Sequence, residues 1–355
     1  MKHNKLALAL LATTMSSVTL STGAMASDVT VYGKLNLSLN HIEKDQAGVT
    51  DQDNWELESF TSRIGFKGSE AISEQLKVIY KLEYQVVPDG EGDVFKTRNS
   101  YAGLQGNFGT VIAGIHDTPL KMSQGKVDVF NDYSLGDIAL SIPGERREND
   151  IIIYTAPKMG DVSFSVGIMP GDDSGQDGDD NDNGLVDQIS AAVSYQNDNL
   201  YAAFAIDDNV NGLDIIRVSA TYKIGDVTLG ALAQTAEDSD KNNGNDISGN
   251  AKGAIVDVLN DYNFVADDHD SIVLSAAWNI NAWTLKAQIV ESTYENSTAD
   301  LDNSAFTIGA DYKLSKRTKL YSHFTQLTVD SNAAIGLAKD YEYTGLGLMG
   351  IEHKF

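Results

Sequence analysis

The sequence contains no cysteine in its 355 residues. No disulfide framework, thiolate nucleophile or thiolate metal site can be built from it, so packing and hydrogen bonds must hold the fold. Proline is scarce as well. All five, Pro88, Pro119, Pro143, Pro157 and Pro170, fall in connections or at strand ends, where a sheet loses no donor. Basic residues number 26 against 51 acids, a formal charge of −25. A surface of that sign repels phosphate backbones and argues against nucleic acid as a partner. It favours solubility and cations instead. Long apolar runs are missing too: no stretch of about 18 apolar residues exists, so no transmembrane helix is expected. A membrane role is left only to a closed barrel, which satisfies every backbone group without helices.

The first 26 residues stand apart. Lys2 and Lys5 make a basic start, Leu6 to Ala12 an apolar run, and Ala24, Met25 and Ala26 a small-residue cleavage site. That order predicts a secretory signal peptide cut before Ser27, leaving residues 27–355 as one domain. The apolar run is too short for an anchoring helix. Removing Lys2 and Lys5 leaves 24 basic and 51 acidic residues, a formal charge of −27.

What is present is a succession of short segments with period 2. Val29, Val31, Leu35, Leu37 and Leu39 share one face of "VTVYGKLNLSL". In "LKVIYKLEYQV", Leu76, Val78, Tyr80, Leu82 and Tyr84 oppose Lys77, Lys81, Glu83 and Gln85. "VSFSVGI", "ISAAVSY", "IRVSATY", "WTLKAQI" and "FTIGADY" repeat the theme, and the sequence ends on "MGIEHKF", with Met349, Ile351 and Phe355 on one parity. Tight turns such as "GNFGT", "KIGD" and "LSKRT" alternate with long polar connections at 119–147, 170–185, 238–270 and 330–340. About sixteen strands result, with both ends on the short-turn side. Apolar-out, polar-in strands joined alternately by short turns and long loops predict an all-β fold, an antiparallel up-and-down transmembrane barrel. A barrel has no free edge, so the last strand must pair with the first, placing Phe355 at the bilayer boundary.

No enzyme constellation is present. His41, His116, His269, His323 and His353 show no metal-ligand spacing, no serine lies in a G-x-S-x-G context, and no phosphate-binding glycine loop follows a strand. The chain is therefore expected to be no enzyme and to need no cofactor, although a Ser-His-Asp set on adjacent strands of a barrel hydrolase leaves no sequence motif. In the loop "GDDSGQDGDDNDNG", Asp179, Asn181, Asn183 and Gly184 match the first ligands and the glycine of an EF-hand loop. Ser190 stands where the bidentate glutamate belongs, so a hydrated loop is the simpler reading.

Three stretches resemble the Gram-negative general diffusion porins: "TSRIGFKGSEAISEQLKVIYKLE", "TRNSYAGLQGNFGTVIAGIHDTPLK" and "GLGLMGIEHKF". The resemblance implies a 16-stranded outer-membrane barrel, usually a homotrimer, passing small hydrophilic solutes and ions. Lipid and lipopolysaccharide would surround it, and the outer-membrane assembly machinery would read its final Phe355. It also implies a third long loop folded into the lumen. The matching loop here brings the acids Asp128, Asp132, Asp137 and Glu145. The facing wall candidates are Arg63, Lys81 and Arg98, each on its strand's polar parity, with Arg147 where the loop rejoins the wall. His116 stands where relatives often have arginine; its neutrality at pH 7 suggests modest cation selectivity that weakens as pH falls through about 6. A substrate-specific porin, with Tyr133 as a sugar-stacking residue, and a plugged adhesin barrel are the alternatives. Inward small residues (Ser163, Ser165, Gly167, Ser190, Ala192 and Ser194) favour an open or loop-narrowed lumen.

Overall fold

The computed structural model describes residues 29–46, 49–90, 94–133, 135–171, 184–239, 247, 255, 259, 264–331 and 341–355. The expected signal peptide and the calcium candidates Asp179, Asn181 and Asn183 lie outside these residues.

Sixteen antiparallel strands close on themselves. They are β1 (Thr30–Gln46), β2 (Val49–Ser59 continued by Arg63–Ser73), β3 (Leu76–Gln85), β4 (Lys96–Thr97 continued by Ser100–Gly106), β5 (Gly109–Asp117), β6 (Arg147–Thr155), β7 (Val162–Met169) and β8 (Gln188–Gln196). The second half comprises β9 (Leu200–Val210), β10 (Leu213–Ile224), β11 (Val227–Asp238), β12 (Asp268–Ile280), β13 (Trp283–Glu295), β14 (Asp300–Lys313), β15 (Thr318–Ser331) and β16 (Tyr341–Lys354). Each strand pairs with the next, and β16 returns to β1 with Leu37 opposite Ile351 and Leu35 opposite His353. Beyond the last strand, Phe355 N–H donates to Gly33 O at 3.1 Å and Gly33 N–H to Phe355 O at 3.0 Å. The termini are therefore neighbours, and the barrel has no open edge.

Two strands are interrupted. In β2, Phe60 to Ser62 step out of register and Thr61 takes φ 49°, while β1 pairs with both halves. In β4 the interruption falls at Arg98 and Asn99, with Arg98 N–H donating to Glu83 O at 2.8 Å. A third irregularity shifts the β5–β6 register between Gly114 and His116. Such bulges re-aim side chains, and all three lie at the level of the third loop.

That loop, residues 118–146, begins with a short helix, α1 (Pro119–Ser123), whose Thr118 hydroxyl accepts from Lys121 N–H and whose first-turn proline needs no donor. Its later residues reach far walls. Val129 N–H donates to Gln288 Oε1 at 3.0 Å, Gln288 Nε2 to Gly136 O at 2.9 Å, and the Tyr294 hydroxyl to Ser141 O at 3.0 Å. Glycines make room for it: a Cβ on Gly309 would sit 2.8 Å from the Phe130 ring, and one on Gly345 2.8 Å from Leu135.

The apolar-out, polar-in rule holds only over part of the barrel. Toward the short turns, β10 puts Ile216, Val218 and Tyr222 outside and Arg217 and Ser219 inside. Toward the long loops the faces exchange. Leu213 and Ile215 of β10, Leu232 and Ala236 of β11, Tyr294 of β13, Leu301 of β14, Leu327 and Val329 of β15 and Tyr341 and Tyr343 of β16 are buried inside. They pack with Leu120, Ile138 and Ile142 of the third loop and with Ile247, Ile255, Leu259 and Phe264 of the connection between β11 and β12. The outer face of the same rows is acidic: Asp214, Glu237, Asp268, Glu295 and Asp300 stand opposite one another across five strands. The expectation of a polar inner face throughout is corrected here, because the inner face at this end is covered by loops rather than by water.

Candidate functional site

Lys81 and Glu83 sit on the inward parity of β3, and Arg63 opens the second half of β2 just after its break. With Arg98, freed by the break in β4, and Arg147, they line a cavity of about 520 Å³ between the β2–β6 wall and the third loop. The loop contributes Asp128, Asp132, Asp137 and Glu145 to the same cavity, with Lys121 and Lys126. Asp117 of β5 completes it, giving six basic and six acidic side chains.

The wall is paired along its length. Glu83 takes the hydroxyl of Tyr32 at 2.8 Å, Arg98 Nε at 3.0 Å and Lys81 Nζ at 3.2 Å. Asp117 receives Arg147 Nη2 at 2.9 Å and Lys121 Nζ at 3.5 Å. The loop acids divide by function. Asp132, in the left-handed region at φ 66°, reaches the wall: Lys34 Nζ lies 2.8 Å and Arg63 Nη1 3.7 Å from its Oδ2. Burial opposes its ionisation, but Lys34 and Arg63 outweigh that and hold its pKa below the usual carboxylate range. Asp128 accepts from the backbone of Phe130 at 2.9 Å and Ile138 at 3.3 Å. Asp137 accepts from Asp132 N–H and from Ala139 N–H, both at 2.8 Å, the latter capping a short 3₁₀ turn (Ile138–Leu140). These two carboxylates fix the loop's own turns. Burial and the nearby Asp137 charge push the Asp128 pKa well up, and burial pushes that of Asp137 up to about 6.

Glu145 is held from behind. Arg217 of β10, fully buried, places Nη1 2.5 Å from its Oε1, and Gln124 Nε2 donates to its Oε2 at 2.9 Å. The guanidinium also bonds Gln234 Oε1 at 2.7 Å and Leu120 O at 3.3 Å, riveting both ends of the loop to the β10–β11 wall.

Two sequence expectations change. His116 does not line the cavity. A bulge in the facing strand β6, at Asp150 with φ 53°, shifts the register so that Asp117 stands opposite Arg147, and the imidazole lies against Tyr101, centroids 5.3 Å apart, with Nδ1 2.8 Å from Asp117 O. An acid therefore stands where the wall was expected to carry histidine. Tyr133 offers no stacking face either. It is buried, its hydroxyl 3.1 Å from both Lys286 Nζ and Lys319 Nζ and 3.2 Å from Asp311 Oδ1, and its ring is covered by Lys286, 4.2 Å from the centroid. Glu83, Asp117, Lys34 and Arg217 were missed by the sequence reading, although Glu83 and Lys34 share the polar parity of their strands.

A closed antiparallel barrel with an apolar outer band and a charged lumen crossed by hydrogen-bonded loop residues defines the outer-membrane channel-type barrel. Residues 7–332 match the family model described as Gram-negative porin. The chain is 27% identical over 369 residues to outer membrane porin protein 32 of Delftia acidovorans, covering 97% of this chain and 95% of that one. It is 29% identical over 189 residues to the major outer membrane protein P.IB of Neisseria gonorrhoeae, where the match spans about half of each protein. Among solved structures, the anion-selective porin from Comamonas acidovorans superposes with a TM-score of 0.67 at 22% identity, over 93% of this chain and 100% of that one. The protein belongs to the Gram-negative porin family and is an integral β-barrel of the outer membrane.

Proposed function

We propose that the protein is a passive diffusion channel for small hydrophilic solutes and ions, narrowest where the third loop faces the β2–β6 wall, and modestly cation-selective. The observation that supports this is the charged cavity in which Arg63, Lys81, Arg98 and Arg147 face Asp128, Asp132, Asp137 and Glu145. With six basic and six acidic groups the narrow zone sorts ions weakly by sign. The acidic long-loop end then sets the preference by concentrating cations at the mouth, over a screening length of about 8 Å at physiological salt.

No aromatic residue lines this cavity among the described residues, which favours a general over a sugar-specific pore. The chain is expected to assemble as a homotrimer in lipid and lipopolysaccharide, with Phe355 read by the assembly machinery. Planar-bilayer recording in asymmetric KCl tests the proposal. Conductance in three equal steps is expected, with a cation-directed reversal potential at low salt that shrinks toward zero at about 1 M, where screening falls to about 3 Å. Absence of conductance would refute the channel; an anion-directed potential at low salt would refute the selectivity.

A further inference from the structure

At the short-turn end a second cavity, of about 460 Å³, opens between β14, β15 and β16. It is lined by five cations, Lys313, Lys316, Arg317, Lys319 and Lys354. In a chain of net charge −25 the cations here outnumber the acids, whereas the third-loop cavity holds equal numbers of each. Among the described residues two acids share the cavity, and both are engaged. Asp311 binds Lys286 at 3.0 Å and Lys319 at 2.9 Å, and Glu352 lies 3.1 Å from Lys354 Nζ and 3.9 Å from Lys34 Nζ. Lys313, Lys316 and Arg317 make no ion pair with any described residue.

The frame that presents them is fixed. Ser315 Oγ accepts from Arg317 N–H at 3.1 Å and Thr318 N–H at 3.0 Å. Leu314 N–H donates to Thr318 O at 3.0 Å, and Lys354 N–H donates to Arg317 O at 2.8 Å, tying the turn to β16. Lys313 shares the inward parity of Asp311 and stands opposite Lys319 in register. Like charges held this close repel, and an anion bearing several phosphate or carboxylate groups relieves that repulsion at several points at once.

We propose that this alcove is an anion-binding site at the periplasmic mouth of the pore, taking small polyanions whose phosphate or carboxylate groups are clustered. It is separate from the cavity at the third loop, and it makes the pore acidic at one end and basic at the other.

Binding of tripolyphosphate to the full chain, measured by calorimetry in neutral detergent at low salt, tests the site without depending on conduction. A saturable one-to-one isotherm is expected. The triple variant Lys313→Gln, Lys316→Gln, Arg317→Gln should weaken it by about tenfold or more, since three exposed charge contacts are lost. The pair Lys121→Gln, Lys126→Gln, at the other cavity, should leave it unchanged. Heat-modifiable mobility verifies that each variant is folded, and Lys313→Arg, Lys316→Arg should retain binding if charge is what matters. Unchanged affinity in the folded triple variant, or loss in the Lys121/Lys126 pair instead, overturns the proposal. Nanodiscs of neutral and of anionic phospholipid separate the two sources of such groups. Binding retained in both supports a soluble anion, and competition confined to the anionic discs supports lipid headgroups in the same alcove.

Discussion

The two ends of β10 to β15 obey opposite rules. Toward the short turns, Val218, Leu274, Leu285 and Ile308 face outward and Ser219, Ser275, Lys286 and Asp311 inward. Toward the long loops, Asp214, Asp270, Glu291 and Asp302 face outward and Leu213, Ile215, Tyr294 and Leu301 inward. The same pleat thus serves two solvents. Where lipid lies outside, the outer face is apolar; where water lies outside, the sheet packs its apolar face on loops, as a soluble protein does. On β12 the outer apolar stretch from Ile272 to Trp278 is six steps long, about 20 Å at ~3.4 Å per residue, the greater part of a hydrocarbon band.

The comparison can be broken most severely at the short-turn end. Deleting Phe355 removes the residue that straps onto Gly33, and assembled, heat-modifiable barrel in the outer membrane should fall to a small fraction while export across the inner membrane continues. Normal barrel levels would show that closure does not need it. At the other end, Glu145→Ala strands the buried Arg217 guanidinium and should cost about 3–5 kcal/mol, read as denaturant sensitivity and cleavage of the third loop. Replacing both partners, Glu145→Gln with Arg217→Met, should recover most of that loss. The boundary between the two regions is sharpened by one strand face. Ile308→Arg should destabilise the barrel in lipid by about 2–4 kcal/mol, whereas Asp302→Arg, six residues along the same face, should cost about 0–1 kcal/mol. Equal costs would place both in the same solvent.

The smallest effect is electrostatic. Burial raises the Asp137 carboxyl to about 6, so it is mostly ionised at pH 7 and gains a proton as pH falls through that value. One negative charge then leaves the narrow zone, and cation selectivity should weaken between pH 7 and 5. Asp137→Asn should flatten that step in the reversal potential, and a step that survives must belong to another group.

The barrel was legible because alternation and turn spacing are local properties of the chain. Lys81 was legible for the same reason: parity along the unbroken strand Leu76–Gln85 fixes the side on which it stands, and Arg63 follows the parity of the segment Arg63–Ser73 that it opens. The irregularities were not. A one-residue bulge on the facing strand β6, where Asp150 takes φ 53°, sets Asp117 opposite Arg147, and nothing in "VIAGIHDTP" announces it. The exchange of faces in β10 was hidden because "LDIIRV" is apolar on both parities, so the pattern fits either assignment. The acids of the third loop were found as a group, but which of them caps a turn and which reaches the wall depends on tertiary contacts. Arg217 was hidden for that reason, its partner Glu145 lying 72 residues away.

The seam between β1 and β16 also sets a kinetic condition. Lys34 meets Lys354 about 320 residues away along the chain, so the entropy of closing that loop must be met before this ladder contributes anything. Every other neighbouring pair of strands is joined by a hairpin or a single connection, so the loop to be closed is far shorter. Until the seam zips, both terminal strands expose a full row of backbone donors and acceptors, and any other chain with a free edge competes for them. Of all the pairings in the barrel, the registration of these thirteen residue pairs thus carries the largest loop-closure cost, and it is the one that turns a curled sheet into a tube.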